Sequence, residues 1–468
     1  MRLDAALGAP RASASAPTAP TAVSLFSGAG GMCLGFSQAG FRILVAVERD
    51  GPACVTYREN HPGTPLYKGD VRGFLASSRT RHRQAFGLDD VDIVFGGPPC
   101  QGFSDIGNRD PSDPRNTLLA EFSRAVSVVR PRMAVLENVP GLLAKRNAPL
   151  LAALFLDLRA AGYGNAVAVK VQAADHGVPQ NRERVLVIAT RDDLLLGGPL
   201  REAFEAGMAA RKLPRVTVHE AIGDLPAAAA TKGEVVPYPG VALTDYQRLM
   251  RAGSDCVTRH DTKVADSGRP AIIRMLPPGG DIRSLPAGTC RAVRDGAWRR
   301  LHPDRPSHAL LAHAAKDLRE YVHYAHDRWV TVRELARLQG FPDRFAFPSE
   351  VSQFQALKQL GNSVPPPLAR AVAEVAADIL AGARRSGTGR RSGRRPKGDV
   401  AATQGERNKQ WRAGAGVVSL EVPRQVAEGL RAARRERGGS VADVLAAALA
   451  ALEAEKACSC LVLSGAAA

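Results

Sequence analysis

The sequence predicts a doubly wound α/β fold joined to a smaller, irregular region. Five short apolar runs have the length of buried strands, and helix-like segments lie between several of them; the runs span 22–26, 43–47, 91–95, 133–136 and 185–189. This alternation is typical of an open, mostly parallel sheet covered by helices. After about residue 190 the alternation stops, and glycine, proline and basic residues dominate up to about residue 330.

Composition divides the chain into six segments. Three prolines interrupt the small-residue stretch at the start, which cannot bury much surface and is expected to be a flexible arm. Helical patterns return at 332–338 and 367–380, and an Arg/Gly/Ser-rich stretch beyond them has the composition of a linker. The expected segments are the arm at 1–21, a sheet domain at 22–190, an irregular domain at 191–330, a helical return at 331–382, a basic linker at 383–415 and a C-terminal module at 416–468.

The C-terminal module has a pattern of its own. Residues 417–422 alternate as a short strand, Pro423 can open a helix, two glycines break that helix, and Ser440 can cap a second one. A strand followed by two helices resembles a ribbon-helix-helix module, in which two chains pair their strands and lay them in the DNA major groove. The alternative is a helical hairpin on the surface that makes no contact with DNA.

Charge and cysteine usage restrict the class of protein. The formal net charge of +17 favours a polyanionic partner, with nucleic acid as the first candidate. No apolar run reaches about 18 residues and no signal-type stretch opens the chain, so we expect no membrane partner and a cytoplasmic protein. The seven cysteines contain no Cys-x-x-Cys pair and are odd in number, which predicts reduced thiols and leaves room for a reactive one.

A glycine loop, Phe26-Ser27-Gly28-Ala29-Gly30-Gly31, follows the first predicted strand directly. Its glycines can make a tight turn and let backbone amides approach a ligand. Glu48 stands at the end of the second strand, where a carboxylate can accept both ribose hydroxyls of an adenosyl ligand, and Asp70 can accept from the adenine amino group. Each of these signals is weak alone, but their order after successive strands predicts an adenosyl-binding site.

A second loop, Gly96-Gly97-Pro98-Pro99-Cys100-Gln101-Gly102-Phe103-Ser104, lies at the edge of the sheet where α/β enzymes place their chemistry. A free cysteine is usually buried, but a Pro-Pro-Cys turn between glycines is a poor place to bury one. This nonapeptide resembles the active-site loop of the DNA cytosine-5 methyltransferases, whose fold is a Rossmann-like sheet. The resemblance implies that Cys100 adds to C6 of a flipped cytosine, so that C5 can attack the methyl group of S-adenosylmethionine, and then leaves by elimination.

Two further motifs complete the catalytic set that the resemblance implies. Glu137, in Glu137-Asn138-Val139, contacts N3 of the cytosine and must be protonated or share a proton with it in the transition state. In Gln180-Asn181-Arg182-Glu183-Arg184, Arg184 holds the cytosine O2 and Arg182 braces the catalytic loop. The expected catalytic residues are therefore Cys100, Glu137, Arg182 and Arg184.

The same resemblance assigns the residues that line the cofactor pocket. A leucine in Arg115-Asn116-Thr117-Leu118-Leu119 lines the adenosyl pocket, and Asn362 in Gly361-Asn362-Ser363-Val364 reaches the methionine end. The expected cofactor contacts, with no metal among them, are Phe26, Gly28, Gly30, Glu48, Asp70, Val71, Pro98, Leu118, Asn362 and Val364. Two residues depart from the family pattern: Ser24 replaces a frequent Asp, and Arg49 replaces a frequent aromatic residue, where a guanidinium can stack on adenine instead.

The resemblance covers about residues 22–382 in unpermuted order and gives the predicted domains their roles. It makes 22–190 the catalytic and cofactor-binding domain and 191–330 the target-recognition domain; 331–382, which includes Arg333–Pro342, is the scaffold of that domain and the return to the sheet. Arginines of the stretches 274–286 and 299–311, and the stretch 260–263, are candidates to address guanine edges or phosphates.

Three functions remain open from the sequence. The first is a sequence-specific methyltransferase acting on double-stranded DNA, either beside a cognate restriction endonuclease or as an orphan methylase. The second is the tRNA-modifying branch that shares these motifs, although its Cys-Phe-Thr tripeptide is absent from this chain. The third is a DNA-binding autoregulator that acts through residues 416–468, which are also the expected route to a homodimer.

Overall fold

The computed structural model describes residues 19–78, 81–99, 117–228, 231, 233–261, 269–286, 288–289, 298–310 and 321–385. Contacts divide the chain into two compact units, 1–147 with 154–388 and 148–153 with 389–468. Of the second unit, residues 148–153 are described, and they form the beginning of one helix. Cys100 and the whole of 416–468 lie outside the described residues, so the predictions made for them stay predictions.

The elements follow one another in the α/β order that the sequence predicts. The strands are β1 (Thr21–Leu25), β2 (Arg42–Glu48), β3 (Leu66–Lys68), β4 (Ile93–Gly96), β5 (Met133–Asn138), β6 (Asn165–Gln172), β7 (Gln180–Asn181), β8 (Glu183–Thr190), β9 (Leu194–Leu195), β10 (Val236–Pro237), β11 (Cys256–Val257), β12 (Arg299–Arg300), β13 (Ser307–His308), β14 (Tyr321–Val322) and β15 (Arg384–Arg385). The helices are α1 (Gly31–Gln38), α2 (Gly51–Asn60), α3 (Val71–Ser78), α4 (Arg81–Phe86), α5 (Thr117–Val129), α6 (Ala148–Ala160), α7 (Leu200–Ala210), α8 (Val218–Ile222), α9 (Asp245–Arg251), α10 (Arg269–Met275), α11 (Val332–Leu338), α12 (Gln353–Asn362) and α13 (Pro366–Gly382).

Within the described residues, seven strands form one sheet in the order β3-β2-β1-β4-β5-β8-β6. The pairs from β3 to β5 are parallel, whereas β8 runs antiparallel to both β5 and β6. The chain winds outward from β1 to β3 and then returns to build β4 and β5 on the other side. Because such crossovers are right-handed, this reversal places the connecting helices on opposite faces. The doubly wound α/β prediction is confirmed.

The five predicted strands correspond to β1, β2, β4, β5 and β8, each within two residues of the expected bounds. Sequence reasoning missed β3 and β6, which are the two edge strands of the sheet. β6 alternates between buried and more exposed positions, and β3 has no fully buried residue, so neither forms the continuous apolar run of a central strand. The helix predicted at 332–338 is α11, and the one predicted at 367–380 is α13.

Parallel pairing brings the chemistry to one edge of the sheet. The carboxyl ends of β1, β2, β4 and β5 meet at that edge, and the strand order reverses between β1 and β4, where α/β proteins form their ligand crevice. Since β8 is antiparallel to β5, it begins at the edge where β5 ends, and Asn138 is paired with Val185. Residues at the start of β8 therefore lie beside residues at the carboxyl ends of the parallel strands.

The region from α8 to α12 has a second apolar core, separate from the core of the sheet. Its elements are short, and the strands β10 to β14 have two residues each. Thr331 opens α11 with a reciprocal capping box to Glu334, which explains why that helix begins where the sequence predicts. None of the helices in the described part of the chain combines the length and apolarity needed to span a bilayer.

Two side chains in the stretches predicted to address guanine edges or phosphates are buried inside the protein. His260 is fully buried between the Thr331 hydroxyl, at 2.9 Å, and the Pro226 carbonyl, at 2.8 Å. Arg300 is also buried, and its guanidinium donates to the Ile273 carbonyl at 2.7 Å. Neither side chain is free to meet DNA in this conformation, so their role here is structural.

Candidate active site

A cavity of about 590 Å³ lies at the carboxyl edge of the sheet. Most of the residues singled out in the sequence line it, namely Phe26, Gly28, Glu48, Asp70, Val71, Pro98, Leu118, Glu137, Arg182, Arg184, Asn362 and Val364. Gly30 does not line it, and Cys100 lies outside the described residues, although the preceding Pro99 is part of the wall. Residues distant in sequence therefore come together around one space.

Gly30 shapes the glycine loop from behind the cavity wall. Its φ is +95°, a left-handed conformation that favours glycine, and a Cβ there would collide with the His61 ring. Burial lowers the pKa of His61 to about 4, so this ring is neutral at physiological pH and packs against the loop without a charge. Gly30 thus allows the tight turn that the sequence predicts. It shapes the loop through its backbone conformation and does not itself line the cavity.

Glu48 is oriented by three backbone amides. Its Oε2 accepts from the Gly28 amide at 2.8 Å, and its Oε1 accepts from the amides of Arg49 at 2.8 Å and Asp50 at 2.7 Å. A carboxylate has about four lone-pair sites, so acceptor capacity remains for hydroxyl donors in the cavity. This arrangement suits the ribose-binding role predicted for Glu48.

Asp70 has a structural partner that the sequence reasoning did not anticipate. Its Oδ1 accepts from the Arg72 amide at 2.9 Å in the first turn of α3, which fixes the carboxylate at the helix start. Its Oδ2 lies 3.5 Å from a guanidinium nitrogen of Arg49, and the Arg49 side chain is 64% exposed. Asp70 and Arg49 both line the cavity, so the pair forms part of its polar wall.

Glu137 and Arg184 contact each other in the cavity. The Arg184 Nε lies 2.8 Å from the Glu137 Oε1, and each side chain is only 11% exposed. Another guanidinium nitrogen of Arg184 donates to the Glu183 carbonyl at 2.7 Å, which holds the planar group in place. The two residues predicted to meet one base are therefore already neighbours, because β8 begins beside the end of β5.

Asn138 anchors the segment that leads to Cys100. Its Nδ2 donates to the Pro98 carbonyl at 3.3 Å, and its Oδ1 accepts from the Val139 amide at 2.9 Å. Asn138 is almost fully buried, so these bonds are shielded from water. Sequence reasoning gave this residue no role, although its place next to Glu137 in the motif was a usable signal.

Arg182 is the centre of a buried polar network. Its guanidinium donates to the carbonyls of Leu310 at 2.8 Å, Gly361 at 2.8 Å and Ser363 at 3.1 Å. Gln180 donates to the Gln339 Oε1 at 2.5 Å, and Gln339 in turn donates to the Ser363 carbonyl at 2.8 Å. The network ties the start of β8 to the turn between α12 and α13. The bracing of the catalytic loop predicted for Arg182 concerns residues outside the described ones.

Two other cysteines are poor candidates for a nucleophile. Burial raises the pKa of Cys33 to about 11, and burial together with the nearby Glu48 raises the pKa of Cys54 to about 11. Because the thiolate is the nucleophilic form, both remain inert thiols at neutral pH.

The sheet, its switch-point cavity and the Glu137–Arg184 pair together define a Rossmann-like methyltransferase. Residues 21–377 match the family model described as C-5 cytosine-specific DNA methylase, and the chain belongs to this family. It is a DNA cytosine-5 methyltransferase.

Relatives of similar length support this assignment. The Type II methyltransferase M.AgeI of Thalassovita gelatinovora is 33% identical over 423 residues, which cover 75% of this chain and 98% of that protein. The Type II methyltransferase M1.HphI of Haemophilus parahaemolyticus is 34% identical over 360 residues, or 76% and 86% of the two chains. A crystal structure of a putative DNA modification methyltransferase encoded within an E. coli prophage is 26% identical, with a TM-score of 0.62 over 77% of this chain and 99% of that one.

Replacing Gly97 by alanine is expected to lower methyl transfer by at least about tenfold with little loss of stability. The new Cβ would lie 2.9 Å from the Glu137 Oε2 and displace a carboxylate that Arg184 holds in place, and displacing the carboxylate predicted to contact the base should cost rate. Gly96→Ala is the matched comparison, because its Cβ would meet the Leu25 backbone and should lower the melting temperature. Steady-state methylation and thermal unfolding of both variants distinguish the two effects; equal activity of Gly97→Ala and wild type would contradict this placement of Glu137.

Proposed function

We propose that this protein methylates C5 of a flipped cytosine in duplex DNA, with S-adenosylmethionine as the methyl donor and Cys100 as the covalent nucleophile. The observation that carries this proposal is the contact between Glu137 and Arg184 inside the cavity, 2.8 Å apart and nearly buried. A carboxyl group and a guanidinium side by side match the N3 and O2 edge of cytosine, which presents two adjacent hydrogen-bonding atoms.

The cavity fits an adenosyl ligand. Glu48 has acceptor capacity for ribose hydroxyls, and Asp70 and Arg49 supply polar groups for the adenine. Apolar walls for the rings and the methionine chain come from Phe26, Val71, Pro98, Leu118 and Val364. When bound, S-adenosylmethionine supplies an electrophilic methyl group.

Side chains of the protein then bind the flipped base and carry out the covalent chemistry. Removing the cytosine from the stack costs a few kcal/mol, and contacts of the flipped base with Glu137 and Arg184 offset part of this cost. The Cys100 thiolate adds to C6, while Glu137 shares a proton with N3 and Arg184 holds O2. The negative charge that develops on the ring is therefore stabilised at both N3 and O2. Once C5 carries the methyl group, loss of the C5 proton to solvent breaks the C6–S bond and releases Cys100 as a thiolate. Asn138 supports this chemistry by fixing the Pro98 carbonyl, two residues before the nucleophile.

We further propose that 22–190 forms the catalytic domain, 191–330 reads the target sequence and 331–382 supports the reading domain. The named relatives are Type II methyltransferases, which favours a role in protecting DNA beside a cognate restriction endonuclease, or as an orphan enzyme, in the bacterial cytoplasm. Residues 416–468 are proposed to form the ribbon-helix-helix module and to make the enzyme a homodimer.

Incorporation of tritiated methyl groups tests the proposed function. The purified protein should label duplex DNA and leave tRNA unlabelled, because the cavity is proposed to receive a base flipped from a DNA duplex. Bisulfite sequencing of DNA from an expressing host should then find protected cytosines in one recurring sequence context. If tRNA is labelled and DNA is not, the protein belongs to the tRNA-modifying branch instead. If the protected cytosines share no sequence context, residues 191–330 do not read the target sequence.

A further inference from the structure

A surface loop at 277–284, in the region predicted to recognise the target, has a firmly held backbone. The Gly279 amide donates to the Arg300 carbonyl at 3.0 Å, and the Arg300 amide donates to the Gly280 carbonyl at 2.9 Å. Gly279 has a φ of +76°, and a Cβ on Gly280 would lie 2.7 Å from the Pro277 ring, so both positions favour glycine. Because Arg300 is buried, these bonds fix the loop to the protein interior.

A carboxylate and a guanidinium form a close pair on this loop. The Asp281 Oδ1 accepts from the Arg283 amide at 2.9 Å, in a capping turn that also includes Ser284. The same carboxylate accepts from the Arg283 side chain at both oxygens, from Nε at 3.0 Å and from Nη2 at 2.6 Å. The Asp281 side chain is only 10% exposed, whereas the Arg283 side chain is 65% exposed. Asp281 therefore holds an arginine at the surface in a set orientation.

This pair differs from other ion pairs on the surface of the same region. Arg274 donates to Asp327 at 3.3 Å, and the Asp327 side chain is 38% exposed. Arg248 pairs with Asp245 within α9, and both of these side chains are more than one-third exposed. Exposed pairs of this kind do little to fix an arginine, because both partners can turn into water. Asp281 is restrained instead, since its carboxylate also accepts from a backbone amide.

The loop is linked to the strand that leads to Arg184. β13 (Ser307–His308) pairs in parallel with β7 (Gln180–Asn181), and Arg184 follows three residues after that strand. The pKa of His308 is lowered by partial burial and by the neighbouring Arg299, and Asp281 opposes this effect. Asp281 is thus close enough to His308 for its charge to act on that ring. The loop is therefore connected, through one bridge between strands, to the part of the cavity proposed to hold the base.

We infer that Arg283, oriented by Asp281, reads one guanine of the DNA target sequence. This inference rests on the proposed role of 191–330 in reading the target. An arginine has five N–H donors and no acceptor, and the pair with Asp281 uses the edge that contains Nε and Nη2. The edge formed by Nη1 and Nη2 has the geometry to donate to two neighbouring acceptors. In the major groove only guanine presents two acceptors, O6 and N7, whereas adenine and cytosine present an amino donor and thymine a single acceptor.

The carboxylate also favours a base over a phosphate. The hydrogen bond from Arg283 lowers the pKa of Asp281, so this carboxylate is ionised at physiological pH. A phosphate that approaches Arg283 meets this fixed negative charge, which offsets the attraction of the guanidinium. The edge of guanine has no formal charge, so it accepts the hydrogen bonds without that repulsion. Arg283 is therefore assigned to sequence recognition and not to a contact with the DNA backbone.

Arg283→Ala tests the inference through the sequence preference of methylation. Wild type and variant are expressed in the same host, and bisulfite sequencing compares the contexts of the methylated cytosines. The variant should lose its preference for guanine at one position by about tenfold or more, because a bidentate contact between arginine and guanine discriminates by that order. The preferences at other positions should remain. Asp281→Asn keeps a capping side chain but removes the charge that orients Arg283, so it should relax the same position to a smaller extent.

Arg248→Ala is the matched control. It removes another exposed arginine that pairs with an aspartate of the same region, and it should leave the preference unchanged at every position. If thermal unfolding shows that Arg283→Ala does not fold, Arg283→Lys takes its place with the same expected relaxation, because lysine keeps the charge but lacks the planar fork.

Three results would overturn the inference. An equal loss of methylation at all sequences in Arg283→Ala would assign Arg283 to a phosphate or to the fold of the loop. An unchanged preference would leave Arg283 and Asp281 as a surface ion pair, and relaxation at a position without guanine would assign Arg283 to another base. Wild-type protein that methylates without any sequence context would contradict the proposed role of 191–330 itself, which is a distinguishable failure.

Discussion

Replacing Cys100 by serine is expected to reduce methyl transfer to DNA to background. Cysteine is intrinsically nucleophilic and partly thiolate near neutral pH, whereas a serine hydroxyl is a weak nucleophile without a dedicated base. Among the described cysteines, Cys33 and Cys54 are poor substitutes, because their buried thiols have pKa values of about 11. Incorporation of tritiated methyl groups into duplex DNA measures the loss.

The control for this variant is the binding of S-adenosylhomocysteine, which should stay within about twofold of wild type because none of the groups proposed to hold the ligand is changed. Cys256→Ser provides the matched substitution. Cys256 is half-buried in β11 and does not line the cavity, so this variant should methylate normally. A Cys100→Ser protein that still methylates DNA would remove the role assigned to Cys100.

Replacing Arg337 by alanine is expected to destabilise the protein by about 3–5 kcal/mol. Arg337 is fully buried and donates to both carboxylate oxygens of Asp343, at 2.9 and 2.6 Å, and to Asp224. Burial alone would raise the pKa of Asp343, but the hydrogen-bonded Arg337 outweighs it and holds that pKa below its usual value. Without the guanidinium, two buried carboxylates each lose one positive partner, which leaves Asp224 with Arg251 at 2.6 Å and Asp343 with the more distant Arg333 at 3.9 Å.

Denaturant unfolding measures this effect. Arg201→Ala is the matched control, because Arg201 makes a 3.1 Å pair with Glu205 on the surface, where both side chains are about half exposed, and such a pair contributes less than about 1 kcal/mol. The depressed pKa of Asp343 contributes stability at neutral pH that is lost as the pH falls through that lowered pKa, so the Arg337 variant should also lose less stability on acidification. Similar destabilisation by the two substitutions would contradict the buried network.

The central strands could be predicted because each is buried on both faces and therefore forms an apolar run. In β5, for example, all six residues are buried. The edge strand β6 could not be predicted in the same way, since its outward positions are more exposed and interrupt the pattern. The positions of the glycine loop and of Glu48 at the edge of the cavity could be predicted, because both follow successive parallel strands.

The remaining part of the site depends on contacts between distant residues. The meeting of Glu137 with Arg184 requires that β8 be antiparallel, which no local pattern in the chain reveals, so the family motif alone predicted it. The network of Gln180 with Gln339, and the pairing of Arg283 with Asp281, become visible only when the fold is known. Arg300 shows the opposite limit, because the family resemblance suggests that this arginine contacts DNA, whereas its burial assigns it to the protein interior.

Covalent trapping on duplex DNA that contains 5-fluorocytosine at the target position tests the role of Cys100 most directly. The fluorine cannot leave C5 as a proton does, so elimination is blocked and the enzyme should stay attached to the DNA after methyl transfer. Mass spectrometry of the digested complex should find the modified base on the peptide that contains Cys100, and Cys100→Ser should form no complex. Absence of a complex with wild-type enzyme that methylates normal DNA, or attachment at another residue, would contradict the mechanism.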